Sequence, residues 1–156
     1  MSDLNDVLRE ALNLTRNQAH VNQVRIVEEM DADSPRLVVD PYQIQEVAVN
    51  VILNAIDAMS GGGTLTVRTR AVSDAVEDRD KWVELEVSDT GCGITPENLE
   101  RVFDPFYTTK SPGEGTGLGL AISYGIVTEH GGEISLSSRS GGGTTVTVRL
   151  PAALKE

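Results

Sequence analysis

The sequence predicts an α+β two-layer sandwich, a mixed and mostly antiparallel sheet covered by helices on one face. Three observations lead there. One helix with very regular apolar spacing lies between short β-branched segments, the later half of the chain alternates apolar and polar residues in hairpin-like pairs, and glycine clusters mark the joints. With 156 residues the chain fits a single domain, 1–156, able to bury a core.

The bulk properties exclude several classes. A net charge of −11 argues against nucleic acid, which requires a basic footprint. An anionic ligand therefore needs local help. The one cysteine excludes an intramolecular disulfide and a multi-cysteine metal cage. No apolar run approaches ~18 residues and no signal peptide opens the chain, so a cytoplasmic domain without membrane contact is expected.

The elements follow in order. Leu4, Val7, Leu8, Ala11 and Leu12 recur at helical spacing over 3–18, with Ser2 or Asp3 as N-cap. Val24 to Val27 and Leu37 to Val39, separated by the turn residues Asp33, Ser34 and Pro35, read as a two-stranded hairpin. From Tyr42 to Met59 the residues Ile44, Val47, Ala48, Val51, Ala55, Ile56 and Met59 share one face, after an Asp40 cap and Pro41 in the first turn. Gly61 to Gly63 end this helix and open a strand containing Leu65 and Val67. The acidic stretch from Ser73 to Asp80 reads as a solvated hairpin loop. Trp82 to Ser88 is the next strand, with Val83, Leu85, Val87 and then Asp89 in core parity. A helix is predicted from Leu120 to Glu129, and strands Ile134 to Ser138 and Thr144 to Leu150 flank Gly141 to Gly143.

Four segments carry chemistry. On the central helix Glu46, Asn50, Asn54 and Asp57 lie within about 80° of one another, opposite the apolar stripe. The plain alternative is a solvated face, but asparagine is a mediocre helix former, and two of them one turn apart gain nothing there. Their amide oxygens are hard neutral ligands, suited to completing a magnesium shell beside phosphates. Asp89 opens the turn DTGCGI. A carboxylate there either bonds its own loop or accepts from an exocyclic amine such as that of adenine, with Gly91 and Gly93 admitting a flat ligand. Cys92 reads as a small filler. Glycines at 113, 115, 117 and 119 satisfy neither the dinucleotide fingerprint nor the P-loop. They describe a lid that feeds a helix N-terminus, where anions are favoured. Arg101 and Lys110 are the only cations between Trp82 and Ser138, and they bracket FDPFYTTK, whose Phe103 and Phe106 anchor the base of the lid. His20 lacks an acidic neighbour and reads as non-functional, and His130 reads as a helix C-terminal residue favoured by the dipole. No serine, cysteine or metal-ligand constellation supports hydrolytic or zinc chemistry.

In order and spacing these segments resemble the N, G1, F and G2 boxes of the ATP-binding catalytic domain of sensor histidine kinases, within the superfamily that includes gyrase, Hsp90 and MutL. NAIDAM, DTGCGI, FDPFYTTK, GTGLGLAI and HGGEISLSS look most like the nitrogen-regulator class. The resemblance implies a Bergerat-type ATP-binding fold with ATP and Mg2+ as ligands. Asn54, with Asn50, would coordinate magnesium, and Asp89 would receive the adenine amine in a pocket shaped by Gly91 and Gly93. Gly115, Gly117 and Gly119 would hinge the lid, with Thr116 and Leu118 in the same loop. Asp57, Ile94, Phe106 and Leu120 are assigned to the pocket with them. Many members carry an arginine after the lid aromatics; here Thr108 stands there, so Lys110 or Arg101 is the substitute γ-phosphate contact. The ATP-hydrolysing branches place a glutamate one turn before the magnesium asparagine, where this chain has Asn50. An amide cannot serve as a general base, which favours phosphoryl transfer over hydrolysis.

The implied partners are the dimerisation domain that carries the acceptor histidine and, indirectly, a response-regulator receiver domain. No acceptor sequence occurs here, so the chain reads as the catalytic part of a larger kinase. Two alternatives stand beside this reading: an ATPase or serine kinase of the same superfamily, and a nucleotide-regulated interaction module without chemistry.

Overall fold

The computed structural model describes residues 2–31, 36–59, 61–73, 81–94, 119–138 and 141–152. A short strand β1 (Ser2–Asp3) leads straight into helix α1 (Leu4–Val21), because the Asp3 carboxylate accepts the Asn5 amide and caps the first turn. Strand β2 (Val24–Met30), the short β3 (Arg36–Leu37) and helix α2 (Pro41–Asp57) follow. Next come β4 (Gly63–Ser73), β5 (Lys81–Ser88), helix α3 (Gly119–Glu129), β6 (Glu133–Ser138) and β7 (Thr144–Pro151). The main sheet has five strands in the order β2-β4-β5-β7-β6, with β2 and β4 parallel and the other neighbours antiparallel.

The expected hairpin between Val24–Val27 and Leu37–Val39 does not form. β2 instead pairs in parallel with β4, Ile26 opposite Leu65, while β3 pairs with β1. The strand runs on through Glu28 and Glu29, which lie opposite Val67 and Arg68 in the parallel ladder; on the surface Glu28 meets Arg16 of α1 at 3.2 Å and Glu29 meets Arg68. The expected turn at Asp33, Ser34 and Pro35 and most of the expected loop from Ser73 to Asp80 lie outside the described residues. Among those described, the other elements match expectation with small shifts at their ends, α1 running three residues further, to Val21.

Registers across the sheet build the core as continuous rows. Val67, Val87, Val146 and Leu136 form one row; Thr69, Leu85, Val148 and Ile134 form the next; Ala71, Val83 and Leu150 form a third. Above them pack Leu4, Leu8 and Leu12 of α1 and Ile44, Val51 and Ile56 of α2, all fully buried. Every residue assigned to the apolar face of α2 is buried, and Ile52 joins them. Apolar burial of this kind supplies about 25 cal/mol per Å², the main force holding the layers together.

The opposite face of the sheet is covered by its own long side chains. Arg70, Glu84, Arg149 and Glu133 form a charged row there. Glu84 accepts Arg70 Nε at 2.6 Å and Arg149 at 2.7 Å, and the Arg149 guanidinium lies over the Trp82 ring. Burial alone would raise the Glu84 pKa, but the hydrogen bonds from Arg149 and Arg70 outweigh it and hold the carboxyl below its ordinary range.

A buried polar knot joins the first helix to the sheet. Asn5 donates to the Asp31 carbonyl at 2.8 Å and accepts the Thr69 hydroxyl at 2.7 Å, while the Asp31 amide donates to Thr69 at 2.9 Å. Replacing Asn5 by alanine removes the amide that bonds the Asp31 carbonyl and the oxygen that accepts the Thr69 hydroxyl. We expect Asn5→Ala to lower unfolding free energy by ~1–3 kcal/mol, measured by urea denaturation.

Candidate functional site

Beyond the row of Val87, Val146 and Leu136, the helix-facing side of the sheet turns polar. Asp89 continues the parity of Val83, Leu85 and Val87, and beside it lie Thr144 and Ser138, which pair across β7 and β6. Asp89 is only 8% exposed. Its amide donates to the Thr144 carbonyl at 2.9 Å, and its Oδ1 accepts the amides of Gly91 at 2.8 Å and Thr144 at 3.2 Å. Oδ2 has no described partner, so it remains available to a donor from outside the chain. Burial pushes the Asp89 pKa up, and the amides of Gly91 and Thr144 only partly offset it. The reading in which Asp89 bonds its own loop is what the structure shows, through Oδ1. A polar depression of about 160 Å3 opens at this end of the sheet; among the described residues Asp89 is its one charged lining residue, beside Ser88, Ser138, Thr144 and Thr145.

The turn after Asp89 is held by the surrounding elements. Thr90 Oγ1 accepts the Thr64 amide of β4 at 3.1 Å. The Cys92 amide donates to the Ala58 carbonyl past α2 at 3.3 Å, and its carbonyl accepts Gly141 at 2.6 Å. The Ile94 amide donates to Ser138 Oγ at 2.7 Å. Cys92, expected as a filler, is exposed and acts through its backbone. Gly91 is sterically required, since a Cβ there would sit 2.4 Å from the Ala58 carbonyl oxygen. Gly93 takes a φ of +74°. The turn therefore rests on α2, β4 and the β6–β7 hairpin at once.

On α2 the four predicted polar residues separate. Glu46 and Asp57 are exposed, whereas Asn50 and Asn54 are half-buried. Asn50 faces the first residue of α3: a Cβ on Gly119 would lie 3.8 Å from Asn50 Cγ, an ordinary contact. At the other end of the pair, His130 accepts the Asp40 amide through Nε2 at 3.2 Å and bonds the Ile126 carbonyl through Nδ1 at 2.8 Å. It ties the end of α3 to the start of α2, more than a dipole partner was expected to do. Leu120 is half-buried in the first turn of α3, and His20 is exposed on α1. The structure thus brings Asp89, Gly91, Gly93 and Ile94 into one turn and sets Asn50 beside the start of α3. Arg101, Phe103, Phe106, Thr108, Lys110, Gly113, Gly115, Thr116, Gly117 and Leu118 lie outside the described residues. Sequence reading missed Thr144 and Ser138; their polarity in a strand with core parity was the available signal.

A five-stranded, mostly antiparallel sheet with helices on one face matches the fold of solved histidine kinase catalytic domains. The solved catalytic domain of histidine kinase ThkA superposes with a TM-score of 0.82 at 30% identity, covering 97% of this chain and 93% of that one. Residues 39–154 match the family described as histidine kinase-, DNA gyrase B-, and HSP90-like ATPase, and the chain belongs to that family. Sensor kinase CckA of Brucella abortus is 46% identical over 125 residues, 75% of this chain and 13% of that protein. Sensor histidine kinase ZraS of Salmonella typhi is 36% identical over 154 residues, 99% of this chain and 31% of its own length. The chain thus spans less than a third of either relative.

Two outcomes test this geometry. Gly91→Ala pushes the turn off Ala58 and should cost ~1–3 kcal/mol of stability, the range for overpacking, read as a lower melting temperature. Because the folded-state pKa of Asp89 is raised, its ionised form opposes folding at neutral pH, and that cost fades as pH falls through the raised value. Protonation also removes an acceptor from Oδ2. Compared with Asp89→Asn, the wild type should gain relative stability and lose nucleotide affinity over one pH window above the ordinary aspartate range, followed by melting curves with and without ATP.

Proposed function

We propose that the chain binds Mg-ATP and transfers the γ-phosphoryl group to a histidine on a separate dimerisation domain, as the catalytic part of a two-component sensor kinase. The observation that carries this is Asn50: a half-buried amide, with no described hydrogen-bond partner, stands one helical turn before Asn54. An amide cannot deprotonate water, so this position offers no base for hydrolysis, and transfer to a protein nucleophile remains. Asp89 accepts the adenine amine, Gly91, Gly93 and Ile94 shape the base pocket, and Asp57 and Leu120 border it.

The donor set at Asn50 and Asn54 suits magnesium. Among the described residues no cluster of three His, Cys, Asp or Glu side chains is placed to hold a metal, so the ion would rest on neutral amide oxygens and on the phosphates themselves. When bound, magnesium supplies charge neutralisation at the phosphates. The protein contributes positioning, which for phosphoryl transfer is most of the catalytic task. Phe106, Lys110, Gly115, Thr116, Gly117, Leu118 and Gly119 are assigned to the lid over the phosphates, with Lys110 as the γ-phosphate cation. A receiver domain of a response regulator takes the phosphoryl group from the histidine afterwards.

Calorimetry with ATP and magnesium tests the pocket. Asp89→Asn should weaken binding about 10- to 100-fold, as for loss of a hydrogen bond to a charged group. Asn54→Ala should abolish the magnesium dependence, and undiminished affinity in both variants would refute the site. For the chemistry, a separately expressed dimerisation domain should acquire acid-labile phosphohistidine from labelled ATP. Label appearing only as free phosphate, or on serine, would overturn the kinase assignment.

A further inference from the structure

The polar row contains a residue to which neither the sequence motifs nor the family match assigns a role. Ser138 Oγ, at the end of β6, makes three hydrogen bonds: to the Ile94 amide at 2.7 Å, to the Gly143 carbonyl at 3.0 Å and to Thr144 Oγ1 at 2.8 Å. A hydroxyl owns one proton and two acceptor sites. The Gly143 carbonyl can only accept, so it takes the Ser138 proton. The Ile94 amide can only donate, so it uses one lone pair. The remaining contact is then settled: Thr144 must donate its own proton to Ser138. With its proton committed, Thr144 Oγ1 offers only lone pairs to anything else.

Thr144 is the residue whose amide and carbonyl both hold Asp89, and the two residues border the same depression as Ser138. Oδ2 of Asp89 is also an acceptor. This corner therefore presents acceptors alone, which suits a ligand edge carrying an amine and opposes one carrying a carbonyl oxygen. Gly143 reinforces the arrangement, because a Cβ there would stand 2.2 Å from the Asp89 carbonyl oxygen. No side chain can be added at that point without displacing the aspartate.

We propose that Ser138 is the positioning residue that sets base specificity: it anchors the end of the Asp89–Ile94 turn and, by taking the Thr144 proton, makes the pocket select a 6-amino purine over a 6-oxo purine. This rests on the ATP-binding reading above. Without Ser138 the Thr144 hydroxyl is free to rotate and donate, and a 6-oxo group becomes acceptable.

The test is calorimetry with the intact chain of ATP and of ITP, in which a 6-oxo group replaces the amine and N1 carries a proton. Ser138→Ala should weaken ATP binding about 10-fold, the value of one well-made hydrogen bond, while ITP binding holds or improves, so that the ATP/ITP ratio falls at least as far. Ser138→Thr retains the hydroxyl and should restore the ratio. Ser135→Ala, which removes an exposed hydroxyl on the same strand outside the depression, should leave it unchanged. A folded Ser138→Ala protein with the wild-type ratio, or with equal losses for both nucleotides, overturns the proposal. Should that variant fail to fold, amide exchange in the wild type decides: the Ile94 amide must be protected, and free exchange overturns the anchor. Failure of the wild type to bind ATP would instead strike the functional reading itself.

Discussion

The structure depends on α2 being a crossover helix. β2 and β4 are parallel neighbours, and the chain between them must leave one end of the sheet and return to it, which antiparallel hairpins never require. α2 does this by lying across the sheet, its apolar face down on Val67, Val87 and their rows and its flank against α1. That single placement fixes what else can happen. The polar edge of α2 must project from the layer beside α3, and the segment past its C-terminus must end near the first residues of β4. Ala58 is consequently where the turn after Asp89 finds a carbonyl, and Gly91 is glycine because the two backbones meet there.

The sheet contributes the complementary constraint. Its helix-facing rows are apolar until the last one, where Asp89, Thr144 and Ser138 replace what would be three more aliphatic residues. A polar row at the rim of a core is costly unless each group is bonded, and here the bonds run laterally, from β5 to β7 to β6 and up into the turn. The outer face solves its own problem differently: Glu84 is buried under two arginines that rehydrate at their far ends, so the second face needs no further layer.

Much of this was legible in the sequence, and the reasons differ by element. The period of 3.6 in α2 exposed its buried face almost residue by residue, because a helix packed on a sheet leaves little freedom in which side faces down. Alternation in β5 likewise placed Asp89 on the core side. The β2 pairing was illegible: nearness in sequence suggested a hairpin with the segment Leu37 to Val39, whereas the actual partner, β4, lies thirty-nine residues on and beyond a helix. For the same reason Ser138 and Thr144 read simply as strand serine and threonine. Their meaning lies in hydrogen bonds to residues some fifty positions earlier, and no local pattern reports such a bond. The part Asn5 plays, bonding Asp31 and Thr69, was missed alike.

The buried aspartate shows how fold and ligand divide the cost of the site. An aliphatic residue at position 89 would bury apolar area; the carboxylate instead loses hydration, and its raised pKa records that loss. Two backbone amides compensate Oδ1. Nothing described compensates Oδ2, and the neighbouring Thr144 hydroxyl, its proton given to Ser138, cannot do so. The free protein therefore holds a deficit of one donor at a fixed point. A ligand that brings a donor there removes the deficit, and all of that gain appears as binding, since it is absent from the unfolded chain. An amine edge would satisfy the corner and a carbonyl edge would deepen the shortage, so the deficit that weakens the empty fold is the physical basis of the base preference proposed above.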